Sequence, residues 1–193
     1  LVPASVPGRY VQHQYISENP NGVDERDQLD DAGDGSGYSA AHAEHHPVLR
    51  ALMENANMAD LLLVAADTNE VVYSTKKRIE LGTDGVKGPY GEDGLGEVIN
   101  KLTTVAAGSS VVSDTYFYIP TAGEPMFFLA AVVRSGSDVV GAVITEVPVE
   151  ALTSLMTAGQ DWTRLGLGDT GESYIVGADQ TLRTDTRAWL QNP

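Results

Sequence analysis

The sequence predicts an α+β domain in which helices flank a central antiparallel sheet of five strands. Strand-like runs occur next to one another, segments with helical periodicity separate them, and turn residues mark the junctions. The chain has 193 residues, of which 42% are hydrophobic, so it can form one domain of ordinary size with a substantial core. Its apolar runs are all shorter than the roughly 18 residues of a transmembrane helix.

The first two strands are predicted within residues 61–77. Residues 61–64 are an apolar run, turn-forming residues follow, and residues 71–76 are rich in β-branched and aromatic side chains. Two such runs around a turn indicate a β-hairpin. Both faces of its second strand are largely apolar, so we expect the hairpin to lie at the centre of the sheet.

Three further strands follow later in the chain. Residues 111–119 alternate in side-chain character, as a half-buried strand does. Residues 126–133 and 139–147 are longer apolar runs joined by a short turn. Together with the hairpin they complete the five-stranded sheet.

Helices are predicted before, between and after these strands. Residues 9–18 have a weak amphipathic pattern, and residues 47–58 have a stronger one whose opening proline suits a first helical turn. Asp93 is expected to cap a third helix whose apolar face extends to Ala106, and Pro148 opens a fourth. The apolar stripe predicted to face the core in the second helix consists of Val48, Leu49, Leu52, Met53 and Ala56.

The chain is predicted to have three parts. Residues 1–46 form a lead-in of helix and loop, residues 47–158 form the α+β module, and residues 159–193 form a linker and the start of a second module. The last part contains a short hairpin pattern at 173–176 and 181–184, which has too few residues to bury a core of its own. We therefore expect this second module to be truncated.

Charge and composition exclude several functions. The net charge is −15, from 27 acidic and 12 basic residues. A nucleic-acid partner is not expected, because phosphate binding needs a basic surface. The chain contains no cysteine, which excludes disulfides, thiolate catalysis and cysteine metal sites.

The candidate binding site combines aromatic side chains with one cation and one carboxylate. Three of its residues share a face of the predicted strand 111–119, and the others come from the hairpin, the loop after it and the strand 126–133. Such a set suits a small polar ligand, an organic acid or an amino-acid-like molecule. The predicted ligand-binding residues are Tyr73, Lys76, Tyr90, Asp114, Tyr116, Tyr118 and Phe128. The alternative is that these tyrosines pack at the sheet surface and that the lysine is solvated.

Motifs for catalysis, metals and cofactors are weak. His42 and His46 stand four residues apart and could chelate a metal in a hydrolase, but the HExxH pattern of zinc proteases is absent. The acidic loop 24–34 lacks the bidentate glutamate of a calcium loop, and residues 166–171 lack the Lys-Ser/Thr end of a P-loop. We expect no catalytic residues, no metal and no cofactor.

Taken in order, six segments resemble the Cache superfamily, the PAS-like extracytoplasmic sensor domains of bacterial membrane receptors. The resemblance is closest to the sensor regions of adenylate/guanylate cyclases and chemotaxis receptors. The segments are YISENPNGVDERDQLD (15–30), DGSGYSAAHAEHHPVLR (34–50), ADLLLVAADTNEVVYSTKKRIELGT (59–83), GPYGEDGL (88–95), SDTYFYIPTAGEPMFFLAAVV (113–133) and GLGDTGESYIVGADQTLRTDTR (166–187).

The resemblance implies a PAS-like Cache fold, with residues 166–187 opening the membrane-proximal module of a double-Cache sensor. It also implies a periplasmic or extracellular domain of a dimeric, membrane-anchored receptor that binds a small molecule. By the same resemblance we favour a nucleotide cyclase as the cytoplasmic output. Tyr90 is similar to the ligand-contacting tyrosine of amino-acid-binding members, although the arginine and tryptophan of that motif are missing. A structural or protein-interaction module without a small-molecule ligand is the alternative function.

Overall fold

The structure is a computed structural model that describes residues 2–105 and 108–192. The chain divides into two compact units, Leu1–Val147 and Pro148–Pro193. The α-helices are α1 (Val6–Gln12), α2 (Gly37–Asn55), α3 (Gly94–Leu102), α4 (Val149–Thr157) and α5 (Arg187–Gln191). A π-helical turn, His13–Ser17, continues α1, and 3₁₀ turns lie at Val23–Gln28 and Ile119–Thr121. The strands are β1 (Asp60–Ala65), β2 (Val71–Ser74), β3 (Ser110–Val112), β4 (Tyr116–Tyr118), β5 (Glu124–Ser135) and β6 (Asp138–Pro148).

These six strands form one sheet in the order β2-β1-β6-β5-β3, and β4 also pairs with β5. The pairs β1–β2, β1–β6, β3–β5 and β4–β5 are antiparallel. Helix α3 packs against β5 and β3. This arrangement confirms the predicted fold class. The main core contains Leu62, Val64, Val71, Tyr90, Leu95, Val98, Ile99, Val111, Tyr118, Met126, Phe128, Ala130, Ala142 and Ile144.

The predicted hairpin is confirmed as β1 and β2, but its predicted central place is wrong. Strand β2 is the last in the order of the sheet. The loop after β2 runs beside it, since the Val71 N–H donates to the Thr83 carbonyl at 2.9 Å and the Gly82 N–H donates to the Val71 carbonyl at 2.7 Å. This loop covers the edge that β2 would otherwise expose, which explains why both faces of the strand could be apolar.

The strand predicted at 111–119 is interrupted and forms β3 and β4 instead. Three residues stand between the two sets of pairs with β5, where β5 itself has only two. The Ser113 hydroxyl accepts a hydrogen bond from the Phe128 N–H at 2.9 Å, in place of a backbone carbonyl. The extra residue is a bulge that reverses which side chains face the core, so Val111 and Tyr118 are both buried.

Helix α2 begins at Gly37 rather than at the predicted Pro47, which lies inside the helix. The Ser36 hydroxyl caps its first turn by accepting from the Ser39 N–H at 3.1 Å. The predicted apolar stripe is also wrong in part, because Val48 is 70% exposed and Leu52 is 51% exposed. The buried residues of this helix are Ser39, His42, His46 and Met53. The two histidines belong to the first part of the helix, which the apolar pattern did not predict.

Helix α3 confirms the predicted cap, since the Asp93 carboxylate accepts from the Leu95 N–H at 3.1 Å. Its residues Leu95, Val98 and Ile99 are buried. Ala106, predicted to continue this apolar face, lies outside the described residues. None of the helices described is long and apolar enough to cross a membrane.

The second unit contains α4 and α5. The hairpin predicted at 173–176 and 181–184 is present as a single bridge between Val176 and Leu182. Leu155 of α4 is 75% exposed. The predicted limits of the three chain segments stay predictions, although α2 crosses the expected boundary between residues 46 and 47 without a break.

Candidate functional site

Three buried carboxylates lie together at one end of the sheet, in the first unit. Asp60 begins β1 and stands directly opposite Glu146 of β6, and Glu80 lies in the loop after β2. One oxygen from each side chain lies within 4.8 Å of the other two. All three residues are fully buried, at 0% exposure. We call Asp60, Glu80 and Glu146 the acidic cluster.

Asp60 is held by three hydrogen bonds. Its Oδ1 accepts from the N–H groups of Leu61 at 2.7 Å and Lys76 at 3.0 Å, and its Oδ2 accepts from the Ser74 hydroxyl at 2.7 Å. Burial nevertheless raises the pKa of Asp60, against the Arg78 guanidinium and these donors, which lower it. The bonds tie the start of β1 to the end of β2 and fix the carboxylate in place.

Arg78 is the positive charge of the site. Its Nη1 donates to Glu146 Oε2 at 2.6 Å, and its side chain is 23% exposed while that of Glu146 is fully buried. Glu146 Oε1 and both carboxylate oxygens of Glu80 have no hydrogen-bond partner among the described residues. Burial and, after it, the neighbouring Asp60 carboxylate raise the pKa of Glu80 to about 8. The cluster thus has unused acceptors in a region without solvent.

Three of the predicted ligand-binding residues come together beside this cluster. The rings of Tyr90 and Tyr118 are 5.9 Å apart, and Phe128 lies 4.9 Å from Tyr118, both in edge-to-face arrangements. Among the residues described, neither tyrosine hydroxyl has a hydrogen-bond partner. Burial raises the pKa of Tyr118 well above its ordinary value, and the carboxylates of Glu80 and Glu146 raise it further. The hydroxyl is therefore within electrostatic reach of the acidic cluster.

The other predicted residues do not belong to this group of packed rings. Tyr73 packs with Met53 and Leu61 in a separate cluster, and Lys76 Nζ forms an ion pair with Asp27 Oδ2 at 2.5 Å. Of the remaining two, Tyr116 shares a face of β4 with Tyr118, as predicted. Asp114 lies in the bulge before β4 and is exposed, so its predicted place on that face is wrong.

Asp114 and Tyr116 both lie close to Glu97 of α3. The Asp114 side chain is exposed, and its N–H donates to Glu97 Oε2 at 3.0 Å. Tyr116 is half-buried. Its pKa is raised mainly by burial and, to a smaller extent, by the negative charge of Glu97.

A surface pocket of about 430 Å³ opens next to the acidic cluster. Arg78 lines this pocket and also contacts Glu146, so it joins the pocket to the buried carboxylates. We call it the basic pocket because three of its lining side chains are cationic. Its lining residues are Val23, Asp24, Arg26, Lys76, Arg78, Pro120, Thr121 and Ala122.

The two histidines weighed as metal ligands have structural partners. Their rings stack at 4.3 Å between centroids. His46 Nδ1 lies 2.7 Å from the Tyr73 hydroxyl and Nε2 lies 2.7 Å from the Asp27 carbonyl, while His42 Nδ1 lies 2.6 Å from the Asp30 carbonyl. His46 Nε2 also lies 3.0 Å from Lys77 Nζ. Both nitrogens of His46 are therefore occupied, which argues against a metal centre there.

The acidic cluster and Arg78 were not predicted from the sequence. A usable signal was present, because Glu146 interrupts the apolar run 139–147 and Asp60 immediately precedes the apolar run 61–64. An acidic residue in a strand that is expected to be buried needs a partner or a function. The pairing of Asp60 with Glu146 depends on the contact between β1 and β6, which no local pattern contains.

Searches of protein-family models and of curated proteins found no match. Among solved structures, the chain is similar to the ligand-binding domain of Campylobacter jejuni chemoreceptor Tlp3 in complex with 4-methylisoleucine. The two share 13% sequence identity with a TM-score of 0.53, over 97% of this chain and 68% of that one. At this identity the similarity shows the fold alone, an α+β fold with a central antiparallel sheet like that of this chemoreceptor ligand-binding domain.

Two further structures show weaker similarity. The ligand-binding domain of Pseudomonas fluorescens chemoreceptor CtaA in complex with L-isoleucine is 15% identical with a TM-score of 0.49, over 93% of this chain and 64% of that one. The sensor domain of the V. cholerae histidine kinase DctB is 12% identical with a TM-score of 0.46, over 75% of this chain and 50% of that one. The chain thus spans 64% of the length of the CtaA domain. The expected link to nucleotide cyclases stays a prediction.

Proposed function

We propose that this chain is the extracytoplasmic ligand-sensing domain of a membrane receptor and that it binds a small organic molecule carrying a carboxylate. One observation carries the proposal. In a Cache-type fold, Arg78 lines a surface pocket and also contacts a buried cluster of polar groups with unused hydrogen-bonding capacity. Structural cores rarely leave several buried polar atoms without partners, whereas binding sites need them.

The basic pocket supplies the charge for such a ligand. A guanidinium has five N–H donors in a fork that matches a carboxylate, and Glu146 occupies Nη1 of Arg78. Arg26 and Lys76 line the same pocket, as does one acid, Asp24. Because Lys76 is paired with Asp27, Arg78 and Arg26 supply most of the positive charge that a carboxylate would meet there.

The aromatic residues supply the inner wall. Tyr90 and Tyr118 are buried in the main core, and their hydroxyls lack partners in the described part of the chain. A ligand reaching past Arg78 would accept hydrogen bonds from these hydroxyls. The similar Tlp3 domain is in complex with 4-methylisoleucine, which makes an amino-acid-like molecule a natural first candidate. An organic acid is the second.

The three basic residues at the end of β2 offer a route for the signal. Arg78 lies at the site, Lys77 Nζ is buried 3.0 Å from His46 Nε2 of α2, and Lys76 is paired with Asp27. Lys77 has a φ of +54°, a conformation that non-glycine residues adopt only under constraint. A ligand that favours one position of Arg78 would therefore alter how this segment packs on α2, provided that its affinity differs between the two arrangements.

In the receptor we place this domain outside the cytoplasm, anchored through the rest of the protein and paired with a second copy. The N-terminal helix α1 is the proposed contact between the copies. The proposed output is a cytoplasmic domain such as a nucleotide cyclase.

The test is a thermal-shift panel of amino acids and small organic acids on wild type, Arg78→Lys, Arg78→Ala and the control Arg134→Ala on β5. A ligand that binds only the folded state stabilises it by about 2.7 kcal/mol at a hundredfold excess over its dissociation constant. We expect a shift in wild type and in Arg134→Ala that is weaker in Arg78→Lys, which keeps the charge, and absent in Arg78→Ala. The proposal would be refuted by a panel without hits, or by hits whose thermal shift is the same in wild type and in both Arg78 variants.

A protein-interaction module is the second candidate function. It is favoured by the packing of Tyr118 against Phe128 and Tyr90, since these contacting rings fill the core beside the site. If the core is filled in solution as well, the organic panel will be silent.

A further inference from the structure

The acidic cluster has the dimensions of a cation site. Ca²⁺ binds oxygen ligands at about 2.3–2.6 Å, so two oxygens on opposite sides of the ion are roughly 5 Å apart. One oxygen each from Asp60, Glu80 and Glu146 lies within 4.8 Å of the other two. All three can therefore contact a single ion without rearrangement of the backbone.

A second observation comes from side chains that lack partners. Both oxygens of Glu80 and Oε1 of Glu146 are fully buried and make no hydrogen bond to any described residue. The Tyr118 hydroxyl is also buried and unpartnered within the described chain, and it belongs to β4 rather than to the strands that carry the acids. Its oxygen is close enough to Glu80 and Glu146 to feel their charge. Four buried oxygens from three residues in this region thus have no hydrogen-bond partner among the described residues.

The charge of the site indicates the valence of the ion. Three carboxylates face one guanidinium, that of Arg78, which leaves an excess of two negative charges when all are ionised. Buried charges need compensation, because the interior solvates them poorly. A divalent cation balances this excess, whereas a single ammonium group leaves one negative charge.

The ligand atoms indicate the kind of metal. Every candidate ligand is a carboxylate or phenol oxygen, and the nearest histidine pair, His42 and His46, is engaged with tyrosine and backbone carbonyls. Oxygen-only sites select hard cations such as Ca²⁺ and Mg²⁺ over zinc or copper.

We propose that Asp60, Glu80 and Glu146 bind one hard divalent cation, Ca²⁺ or Mg²⁺, at the inner end of the basic pocket. The inference deepens the proposed function and rests on it for the view that this region is a ligand site. The cation would lie behind Arg78, so the pocket would present a metal ion and a guanidinium to the carboxylate of an organic ligand.

The test is isothermal titration of the chelator-treated full chain with CaCl₂ and with MgCl₂, at constant ionic strength. The variant Glu80→Gln keeps the shape of the side chain and removes its charge, and Glu92→Gln changes an exposed acid in the following loop as a matched control. We expect wild type and Glu92→Gln to bind one ion with equal affinity and Glu80→Gln to bind it more than about tenfold more weakly, since a direct ligand is lost.

Circular dichroism checks that Glu80→Gln is folded. If it is not, Tyr118→Phe, which removes a single oxygen, is expected to weaken cation binding relative to wild type. Absence of binding of either ion by wild type, or equal binding by wild type and the folded site variants, would overturn the inference.

The organic panel, run with the cation and with chelator, separates this inference from the proposed function. One outcome is that the protein binds no divalent ion but binds an amino-acid-like ligand in the presence of chelator. This result would overturn the cation site and leave the sensor proposal standing. The ammonium group of the ligand would then lie at the acidic cluster. Cation binding without any organic hit would support the cation site and count against the organic ligand. Silence in both titrations would refute both.

Discussion

Replacing His46 should change how the stability of this domain responds to acid. His46 is fully buried in α2 beside Tyr73 and Lys77. Burial lowers its pKa from the ordinary 6.5 to about 4, and the nearby Lys77 ammonium contributes to the shift. The folded protein therefore keeps this imidazole neutral at a pH where the unfolded chain takes up a proton.

The sign and size follow from proton linkage. Because the pKa is lower in the folded state, stability is complete above pH 6.5, falls as the pH drops below 6.5, and stops falling below about pH 4. The gap between 6.5 and about 4 corresponds to roughly 3 kcal/mol. Between pH 7 and pH 5 the loss due to this one residue is about 2 kcal/mol.

Urea denaturation of wild type, His46→Gln and His45→Gln at pH 7, 6 and 5 measures this effect. Other groups titrate alike in all three proteins, so the difference between curves isolates the mutated residue. The stability advantage of wild type over His46→Gln should shrink by about 2 kcal/mol between pH 7 and pH 5. His45 is exposed on the same helix, and its variant should follow wild type. Parallel curves for wild type and His46→Gln would refute the account of this buried cluster.

Three further predictions concern stability and are measured by urea denaturation at pH 7. Phe128→Ala removes a fully buried ring from the main core and should lower the free energy of unfolding by about 3–5 kcal/mol; a loss below about 1 kcal/mol would contradict this packing. Asp93→Ala removes the cap of α3 and should lower it by about 1 kcal/mol, and an unchanged value would show that the cap is not formed. Met53→Ala, at a buried position of α2, should lower it by about 2–5 kcal/mol, whereas Leu52→Ala, 51% exposed, should stay within about 0.5 kcal/mol. Equal losses for these two would support the apolar stripe predicted from the sequence.

Local patterns were sufficient for much of the fold. The hairpin β1–β2, the cap of α3 and the long strands β5 and β6 each follow from a short stretch of sequence with its own turn or cap chemistry. The start of α2 could not be predicted from such a local pattern, because its buried face carries His42 and His46. Those histidines are buried by bonds to Asp27, Asp30 and Tyr73, which are distant in the sequence.

The same limit applies to the site. Tyr90, Tyr118 and Phe128 were predicted and do lie together, because aromatic residues in strands and in a loop between apolar segments tend to share a core. The acidic cluster was missed because its members become neighbours only through the pairing of β1 with β6. Asp114 was misplaced because it lies in the bulge before β4, where one extra residue interrupts the alternation of strand faces.

The most direct test of the central claim is a crystal structure of the domain with a carboxylate ligand taken from the panel. The account predicts that the ligand carboxylate lies in the basic pocket on the Arg78 guanidinium, with the remainder of the ligand directed towards Tyr118 and the acidic cluster. Density in the separate groove lined by Val64, Ile99 and Val132, with Arg78 unchanged, would contradict it.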